Sequence, residues 1–371
     1  MNFLICGFFI VYFTLLFLIL VLGLLLHRKK ENESLLGKKI QLDQITVIIP
    51  FRNEEKRIVG LLESIRKSKK LPSKVLFIND HSEDNSIGLI TSQLTEIPFE
   101  ILELPTKLFG KKQAIRFGIK HCETEYILCM DADVSFSENY FEQLEKLTSA
   151  DMYLLPAVLV AKRAFEHLFE IDLLLINALN TGLNGLSRPI IASGANLLFK
   201  RKSFLKFDQI EKHAHIPSGD DIYLLRDFRE AKCDVRVVAN KQFQVITETP
   251  KSFNEFLHQR IRWIAKTSDV KDHLSTFLAI FQIILTLGFI GIIVKLIWNH
   301  QYQFALAIYG LKTILDMALF FSFFKEFKRP IAWFLIPVYQ LIFPMYNLLL
   351  LITLPFFKPQ WKGRYSGVNR R

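Results

Sequence analysis

The chain has 371 residues, of which 50% are hydrophobic and 34 are phenylalanine, so it can form a soluble core and also supply membrane-spanning segments. Its formal net charge of +11 suits either a nucleic acid or an anionic membrane leaflet as a partner. The four cysteines form neither a CxxC pair nor a recognisable zinc pattern, which excludes those two classes of site and favours a reduced, cytoplasmic catalytic domain.

The first predicted element is a membrane-spanning helix over residues 3–26, within an N-terminal anchor at 1–30. This run contains no charged side chain and is long enough to cross a hydrocarbon core of about 30 Å. A signal peptide is the competing interpretation, but the run has no basic residues before it and no small-residue cleavage site after it. The cationic cluster at 27–30 predicts, by the positive-inside rule, that the following domain is cytoplasmic.

Residues 42–272 are predicted to form an α/β domain. Apolar, partly β-branched runs predict strands at 45–50, 74–80, 99–104 and 126–134, and amphipathic patterns between them predict helices. This alternation predicts a mostly parallel, doubly wound sheet with helices on both faces. Its ligand site is expected beyond the carboxyl ends of the strands.

Two polar clusters follow the first two predicted strands. The first contains Pro50, Arg52, Asn53 and Glu54, where a helix is expected to begin, and free backbone N–H groups at a helix start bind phosphate or hydrogen-bond a base. The second contains Asp80, whose carboxylate can accept the imide N–H of a uracil. Helix capping is the structural alternative for both clusters.

A DxD pattern, Asp131 and Asp133, ends the fourth predicted strand. Carboxylates two positions apart in an extended chain point to the same side, and hard oxygen ligands bind Mg²⁺ or Mn²⁺ on a diphosphate. Such a cation would neutralise the charge that develops on a departing nucleotide diphosphate. Because aspartates are also common turn residues, the pattern alone is weak.

Asp220 and Asp221 form an acidic pair in the segment PSGDDIYLL. One carboxylate of such a pair can act as the base that takes the proton of an acceptor hydroxyl during an inverting sugar transfer. An acidic pair at the start of a helix is the structural alternative.

A basic and aromatic cluster ends an amphipathic segment just before the second predicted span, and it consists of Gln259, Arg260, Arg262 and Trp263. Arginines there could bind phosphate, and tryptophan could offer a flat apolar face to a sugar ring. An interfacial belt at the membrane surface is the alternative.

The remaining predicted elements concern the membrane. Residues 156–190 contain too many charges for a span, so an interfacial or membrane-facing helix is expected. Three apolar segments predict C-terminal spans within 273–357, at about 275–297, 303–324 and 331–357. A basic tail follows at 358–371. Since two prolines interrupt the last segment, a re-entrant hairpin is an alternative there.

In this order, the clusters resemble family 2 glycosyltransferases of the GT-A fold, an inverting group that includes cellulose, chitin and hyaluronan synthases and ceramide glucosyltransferases. VIIPFRNEE is similar to the family's first strand and loop, and QRIRW fits its Q(Q/R)xRW motif. GKKQAIRFGI places Lys111 at the nucleotide-contacting position, with Arg116 in place of the usual asparagine. FINDHSED keeps Asp80 at the nucleobase-binding position, while Asn79 and His81 depart from the family's Asp-Asp-Gly-Ser pattern.

The resemblance implies a glycosyltransferase that uses a UDP-sugar with Mg²⁺ or Mn²⁺ held by Asp131 and Asp133. Asp221 would be the catalytic base, Arg262 would steady the diphosphate and Trp263 would border the acceptor. One span before the domain and about three after it are similar to the layout of ceramide glucosyltransferases. We therefore expect a multi-pass cell-membrane enzyme with a lipid or membrane-borne glycan acceptor, and no nucleic-acid partner.

Two other functions are compatible with parts of this pattern. A processive polysaccharide synthase of the cellulose, chitin or hyaluronan synthase type would share the QRIRW motif. A catalytically inactive membrane scaffold or lipid transporter would have no need for the DxD, the acidic pair and the QRIRW motif together.

Overall fold

The structure is a computed structural model that describes residues 2–34, 37–209, 219–269, 272–353, 356, 360–361 and 364–365. The chain divides into two compact units. The helical unit consists of Met1–Lys30, Ala161–Ile190 and Pro250–Phe357. The sheet unit consists of Glu31–Val160, Ile191–Thr249 and Lys358–Arg371.

The sheet unit is built on a seven-stranded sheet with the order β3-β2-β1-β4-β8-β6-β9. Its strands are β1 (Ile45–Phe51), β2 (Lys74–Asn79), β3 (Phe99–Glu103), β4 (Tyr126–Met130), β6 (Met152–Leu154), β8 (Asn196–Lys200) and β9 (Val235–Val237). β3, β2, β1 and β4 are parallel to one another, whereas β8 is antiparallel to both β4 and β6. The predicted mostly parallel α/β sheet is therefore confirmed.

A smaller sheet has the order β5-β10-β7, formed by β5 (Val134–Ser135), β7 (Ala157–Leu159) and β10 (Val245–Thr247). A short ribbon pairs β11 (Gln360–Trp361) with β12 (Arg364–Tyr365). The rest of the predicted basic tail, 358–371, lies outside the described residues.

Helices pack on both faces of the large sheet because its central strands are apolar on both sides. In β1, Val47 and Ile49 belong to one hydrophobic cluster and Ile48 to another on the opposite face. Such strands need cover on each face. The helices of this unit are α3 (Val59–Arg66), α4 (Ser86–Gln93), α5 (Lys111–Lys120), α6 (Tyr140–Leu144), α8 (Arg201–Phe207) and α9 (Asp220–Glu230), with 3₁₀ turns at Leu42–Gln44 and Lys241–Phe243.

Two local predictions were wrong. The fourth strand ends at Met130, and a turn at Ala132 and Asp133 precedes β5, so the two aspartates are not part of one strand that runs to residue 134. The helix that was expected to begin directly after β1 begins only at Val59, after a turn, so the structural alternative of a cap by Asn53 does not apply either. After β1, side chains of the loop that follows β2 accept hydrogen bonds from the backbone N–H groups of Asn53, Glu54 and Glu55, and this competes with regular structure.

The helical unit contains the long apolar helices. The first consists of α1 (Asn2–Phe17), a π-helical turn (Leu18–Gly23) and α2 (Leu24–Ser34). The other helices of this unit are α7 (Glu166–Leu186), α10 (Phe253–Asp269), α11 (His273–Trp298), α12 (Tyr302–Glu326), α13 (Pro330–Phe334) and α14 (Ile336–Thr353).

Four helices among the described residues are long and apolar enough to cross a membrane: Ile5–Asn32, His273–Trp298, Tyr302–Glu326 and Ile336–Thr353. One is N-terminal and three are C-terminal, as predicted. The last is a single helix that runs through Pro344, not the two arms of a re-entrant hairpin. Of residues 156–190, predicted to form an interfacial or membrane-facing helix, Ala161–Ile190 belong to the same unit as these four helices, whereas Ala157–Leu159 form β7 of the sheet unit.

The π-helical turn packs closely against α7. A Cβ added to Gly182 would lie 2.1 Å from the carbonyl oxygen of Ile19, and one added to Gly185 would lie 1.8 Å from that of Gly23. Only glycine permits this approach of two helix backbones. The π-helical turn of the N-terminal helix is therefore packed directly against α7.

Candidate active site

The candidate site of the sheet unit lies at one edge of the large sheet. The parallel strands β1, β2 and β4 end at this edge, and the antiparallel strand β8 begins there, since Met130 is paired with Asn196. Loops that follow three strands and precede a fourth therefore meet at one place, as expected for a ligand site in an open α/β sheet.

The loops after β1 and β2 are held together by hydrogen bonds. The backbone N–H groups of Asn53 and Glu54 donate to the hydroxyls of Ser82 (3.1 Å) and Ser86 (2.9 Å). The Glu55 N–H group donates to the Asp84 carboxylate at 2.9 Å. The N–H groups of Asn53, Glu54 and Glu55 after β1, which were expected to be free at a helix start, are thus already bonded within the protein.

Desolvation acts to raise the pKa of Asp84, but hydrogen bonds from Ser86 and Glu55 outweigh it and lower the pKa below its ordinary value. The Asp84 carboxylate is therefore a stable anion that organises this loop pair. Pro50 lies inside β1, paired with Ile78 of β2. The Arg52 guanidinium donates to the carbonyl oxygen of Asp80 at 2.9 Å, so Arg52 also joins the two loops.

Asp80 connects the β2 loop to the start of α5. Its side chain is buried, and its Oδ2 accepts a hydrogen bond from the Gly110 N–H group at 3.0 Å. Gly110 has a φ of 90°, a conformation that side-chain-bearing residues rarely adopt. The carboxylate therefore fixes the turn that places Lys111 at the first position of α5.

Lys111 lies between the DxD turn and the loop before β8. Its ammonium nitrogen is 2.6 Å from Asp131 Oδ1 and 3.5 Å from the carbonyl oxygen of Gly194. The Gly194 N–H group donates to Asp221 Oδ2 at 3.0 Å. Asp131 and Asp221 are thus connected through Lys111 and Gly194, although 90 positions separate them along the chain.

Asp133 is held by a different cation. Its Oδ2 is 3.3 Å from the Arg57 guanidinium, which also contacts Glu54 at 2.6 Å. Burial, and then the nearby negative charge of Asp131, raise the pKa of Asp133 to about 6, against the lowering effects of Arg57 and Lys111. The two aspartates are therefore crowded carboxylates that nearby cations only partly neutralise.

The DxD turn fits a divalent cation as part of a larger ligand set. Two carboxylates supply hard oxygens, and their mutual repulsion is relieved by a bound cation. Among the described residues, however, no group of three or more His, Cys, Asp or Glu is placed to hold a metal ion. Asp131 and Asp133 would thus supply two oxygen ligands to a divalent cation, which would offset negative charge on a diphosphate.

The remaining predicted residues have different positions. Asp220 begins α9 directly before Asp221, which accepts hydrogen bonds through both carboxylate oxygens. The basic and aromatic cluster lies on α10 and belongs to the helical unit. There, Arg260 is buried and contacts Asp172 of α7.

Sequence reasoning missed two residues that organise the site. Arg57 holds Asp133, and the pattern that could have revealed it is its spacing of three residues from Glu54. Gly194 connects Lys111 to Asp221 through backbone atoms, and the backbone leaves no such signal in a sequence.

Comparison with known families places this site in context. Residues 46–206 match the family model described as Glycosyl transferase family 2. The matched stretch contains β1, the loops around Asp80 and Lys111, and the DxD turn. Asp221 and the α10 cluster lie beyond it.

Curated relatives share short stretches with this chain. The chain is 32% identical over 114 residues to the 4,4'-diaponeurosporenoate glycosyltransferase of Staphylococcus aureus strain bovine RF122 / ET3-1, covering 31% of this chain and 30% of the relative. It is 38% identical over 92 residues to the protein of the same name from strain USA300, covering 25% and 24%. The alignments therefore span less than a third of these relatives.

A solved structure is similar over nearly the whole chain. The mannosyltransferase PcManGT from Pyrobaculum calidifontis, in complex with GDP-Man and Mn²⁺, has a TM-score of 0.53, with 93% of this chain and 98% of that chain covered. Because the sequence identity is 14%, the similarity establishes the GT-A-like fold alone.

Proposed function

We propose that this chain is a membrane-anchored, inverting glycosyltransferase that moves a sugar from a UDP-sugar to a lipid or membrane-borne acceptor. The observation that carries the proposal is the connection between Asp131 and Asp221 through Lys111 and Gly194. Three residues thus meet at one edge of the sheet: Asp131, a proposed metal ligand; Lys111, which would contact a phosphate; and Asp221, the proposed base.

The donor diphosphate is assigned to the Lys111 and DxD side of this edge. The Lys111 ammonium, now paired with Asp131, is a compact positive charge that would contact a phosphate of the donor. Asp131 and Asp133 would hold Mg²⁺ or Mn²⁺. Such an ion neutralises charge on the leaving nucleoside diphosphate.

Asp221 is assigned as the catalytic base. The N–H groups of Gly194 and Ile222 each donate to one of its oxygens, at 3.0 and 2.9 Å, so the carboxylate is fixed in orientation. It takes the proton of the acceptor hydroxyl while that oxygen bonds to the anomeric carbon. The bond from this carbon to the diphosphate breaks, and its electron pair leaves with the nucleotide.

The nucleobase is assigned to the side of Asp80, on the family resemblance. A uracil presents an imide N–H donor to a carboxylate. Since one Asp80 oxygen already accepts from Gly110, base selection there depends on the turn at 105–110 as well as on the carboxylate. A guanine nucleotide is the alternative, because the similar solved structure contains GDP-Man.

The membrane assignments rest on the long apolar helices. Four candidate spans and the cations at 27–30 support a multi-pass membrane protein whose sheet unit is cytoplasmic. A lipid-like acceptor is in keeping with the name of the Staphylococcus aureus relatives. The roles of Gln259, Arg260, Arg262 and Trp263 toward acceptor or diphosphate rest on their motif.

The test uses purified full-length protein in nanodiscs with Mn²⁺, a total lipid extract and labelled UDP-glucose, UDP-N-acetylglucosamine or GDP-mannose. We expect labelled lipid from a UDP-sugar. Asp221→Asn keeps the carboxylate shape and should lower the transfer rate by about 10²-fold or more, with unchanged nucleotide binding. Equal rates for Asp221→Asn and wild type would remove Asp221 as the base. A long polymeric product would show that the enzyme is a processive synthase and does not transfer a single sugar.

A further inference from the structure

Helix α7 contains acidic side chains that are buried in the helical unit. Glu170 and Asp172 are 2% and 5% exposed. Each contacts a cation from another element: Glu170 lies 3.0 Å from Arg329, and Asp172 contacts Arg260 of α10. Buried carboxylates are costly unless they are paired, so these contacts constrain where the partner elements can sit.

Asp172 joins three helices. Its Oδ1 accepts a hydrogen bond from the Tyr339 hydroxyl of α14 at 2.6 Å, while its Oδ2 faces the Arg260 guanidinium of α10. All three side chains are buried, at 5%, 6% and 3% exposure for Asp172, Tyr339 and Arg260. The aspartate therefore fixes α10 against both α7 and α14.

Arg260 also contacts aromatic rings of α10 itself. Its guanidinium lies 4.4 Å from the Trp263 ring centroid and 5.0 Å from that of Phe256. Phe256 stacks on Phe169 of α7, with centroids 4.2 Å apart and planes at 16°. These contacts fix the rotation of α10 about its own axis.

Rotation matters because neighbouring residues on a helix point about 100° apart. Holding Arg260 toward Asp172 sets the directions of Gln259, Arg262 and Trp263 together. An error of one residue in this rotation would turn the whole QRIRW cluster to a different side of the helix.

We propose that Asp172, with Tyr339, is a positioning residue for the transfer reaction: it holds Arg260 so that Arg262 and Trp263 take the orientation that acceptor transfer requires. This inference rests on the proposed function. It assigns to Asp172 an effect on turnover, because Arg262 would steady the charge that develops on the leaving diphosphate during transfer, whereas the donor contacts proposed for Asp131 and Lys111 belong to the sheet unit.

The test compares Asp172→Asn with Glu170→Gln in the nanodisc assay above. Both changes neutralise a buried carboxylate of α7, but only Asp172 contacts α10. We expect Asp172→Asn to lower kcat for lipid transfer about tenfold or more, with donor KM changed less than about twofold. Glu170→Gln should leave kcat within about twofold of wild type. Thermal unfolding of each variant measures how much the substitution lowers the stability of the protein.

The outcomes separate the inference from the proposed function. Wild-type kcat in Asp172→Asn, or equal losses of kcat in both variants, would overturn the positioning role. If Asp172→Asn does not fold, Tyr339→Phe decides, because it removes one hydrogen bond and keeps the ring; we expect a fall in kcat of about threefold or more at unchanged donor KM. An absence of transfer by wild type with every donor would reject the proposed function itself.

Discussion

The Lys111 ammonium group lies 2.6 Å from Asp131 Oδ1, so the first aspartate of the DxD turn is paired with a cation of the protein. Replacing Lys111 by methionine removes a charge that would otherwise contact the donor diphosphate. We expect the affinity for UDP in the presence of Mn²⁺ to fall roughly 10- to 100-fold, the range of one charge-assisted contact. Isothermal titration calorimetry would measure it.

Lys107→Met is the matched control, because Lys107 is an exposed lysine four residues earlier in the same loop. It should bind UDP like wild type. If both variants lose affinity equally, the effect is one of net charge, and Lys111 has no special place in the site.

The raised pKa of Asp133 predicts that the stability of the protein depends on pH. Its pKa is raised to about 6 by burial and by Asp131, so the folded state binds an extra proton between the ordinary pKa and about 6. The contribution of the protonated Asp133 side chain to the free energy of unfolding is fully present below the ordinary pKa and is lost as the pH rises through about 6. Asp133→Asn should therefore stabilise the metal-free protein at about pH 7.5, by on the order of 2 kcal/mol, and have little effect near pH 4.

Thermal unfolding at the two pH values, in the presence of a chelator, checks this prediction. The Arg57 guanidinium keeps its contact with Glu54 in the variant, so it does not become an isolated charge. Adding Mn²⁺ at about pH 7.5 should stabilise wild type more than Asp133→Asn, because the variant lacks one of the two carboxylate ligands. A destabilised variant at about pH 7.5 would contradict the assigned electrostatics.

The contact of α7 with the N-terminal helix predicts a strong effect of one methyl group. In Gly185→Ala the new Cβ would lie 1.8 Å from the Gly23 carbonyl oxygen, so the two helices must separate. We expect a loss of about 2 kcal/mol or more, measured by thermal unfolding in nanodiscs.

Gly291→Ala provides the comparison, because Gly291 is also helical and a Cβ there would meet no heavy atom within 4 Å. That variant should be neutral or slightly stabilised, since alanine favours the helix. Equal losses in both variants would mean that the close packing of α7 is not what matters.

A polar network inside the candidate spans gives a further prediction. Asp316 of α12 accepts hydrogen bonds from Tyr12 of the N-terminal helix, from Lys312 and from Gln340 of α14. Asp316→Leu leaves the Lys312 charge without its carboxylate partner, and we expect a loss of about 3 kcal/mol or more in thermal unfolding. The double variant with Lys312→Met should recover most of it, because no unpaired charge remains.

Lys295→Met is the control for the network, because Lys295 is exposed near the end of α11. It should unfold like wild type. Additive losses in the double variant would show that Lys312 and Asp316 act independently.

Much of the fold could be predicted from local patterns. Each β-branched run, such as 45–50 or 74–80, is buried on both faces, so its composition alone indicates a central parallel strand. The four apolar helices were equally clear, because crossing a hydrocarbon core requires an uninterrupted length of apolar chain. The predictions failed where loops bond to one another, as at Asn53 and in the DxD turn.

The sequence by itself determined the strands, the candidate spans, the acidic pairs and the cationic side chains. Only the tertiary structure decided their pairing, because Lys111, Gly194 and Asp221 meet through sheet order, and Asp172 meets Arg260 through helix packing. Periodicity reports which side of an element is buried, whereas long-range contacts depend on how whole elements pack. Local sequence patterns do not encode that packing.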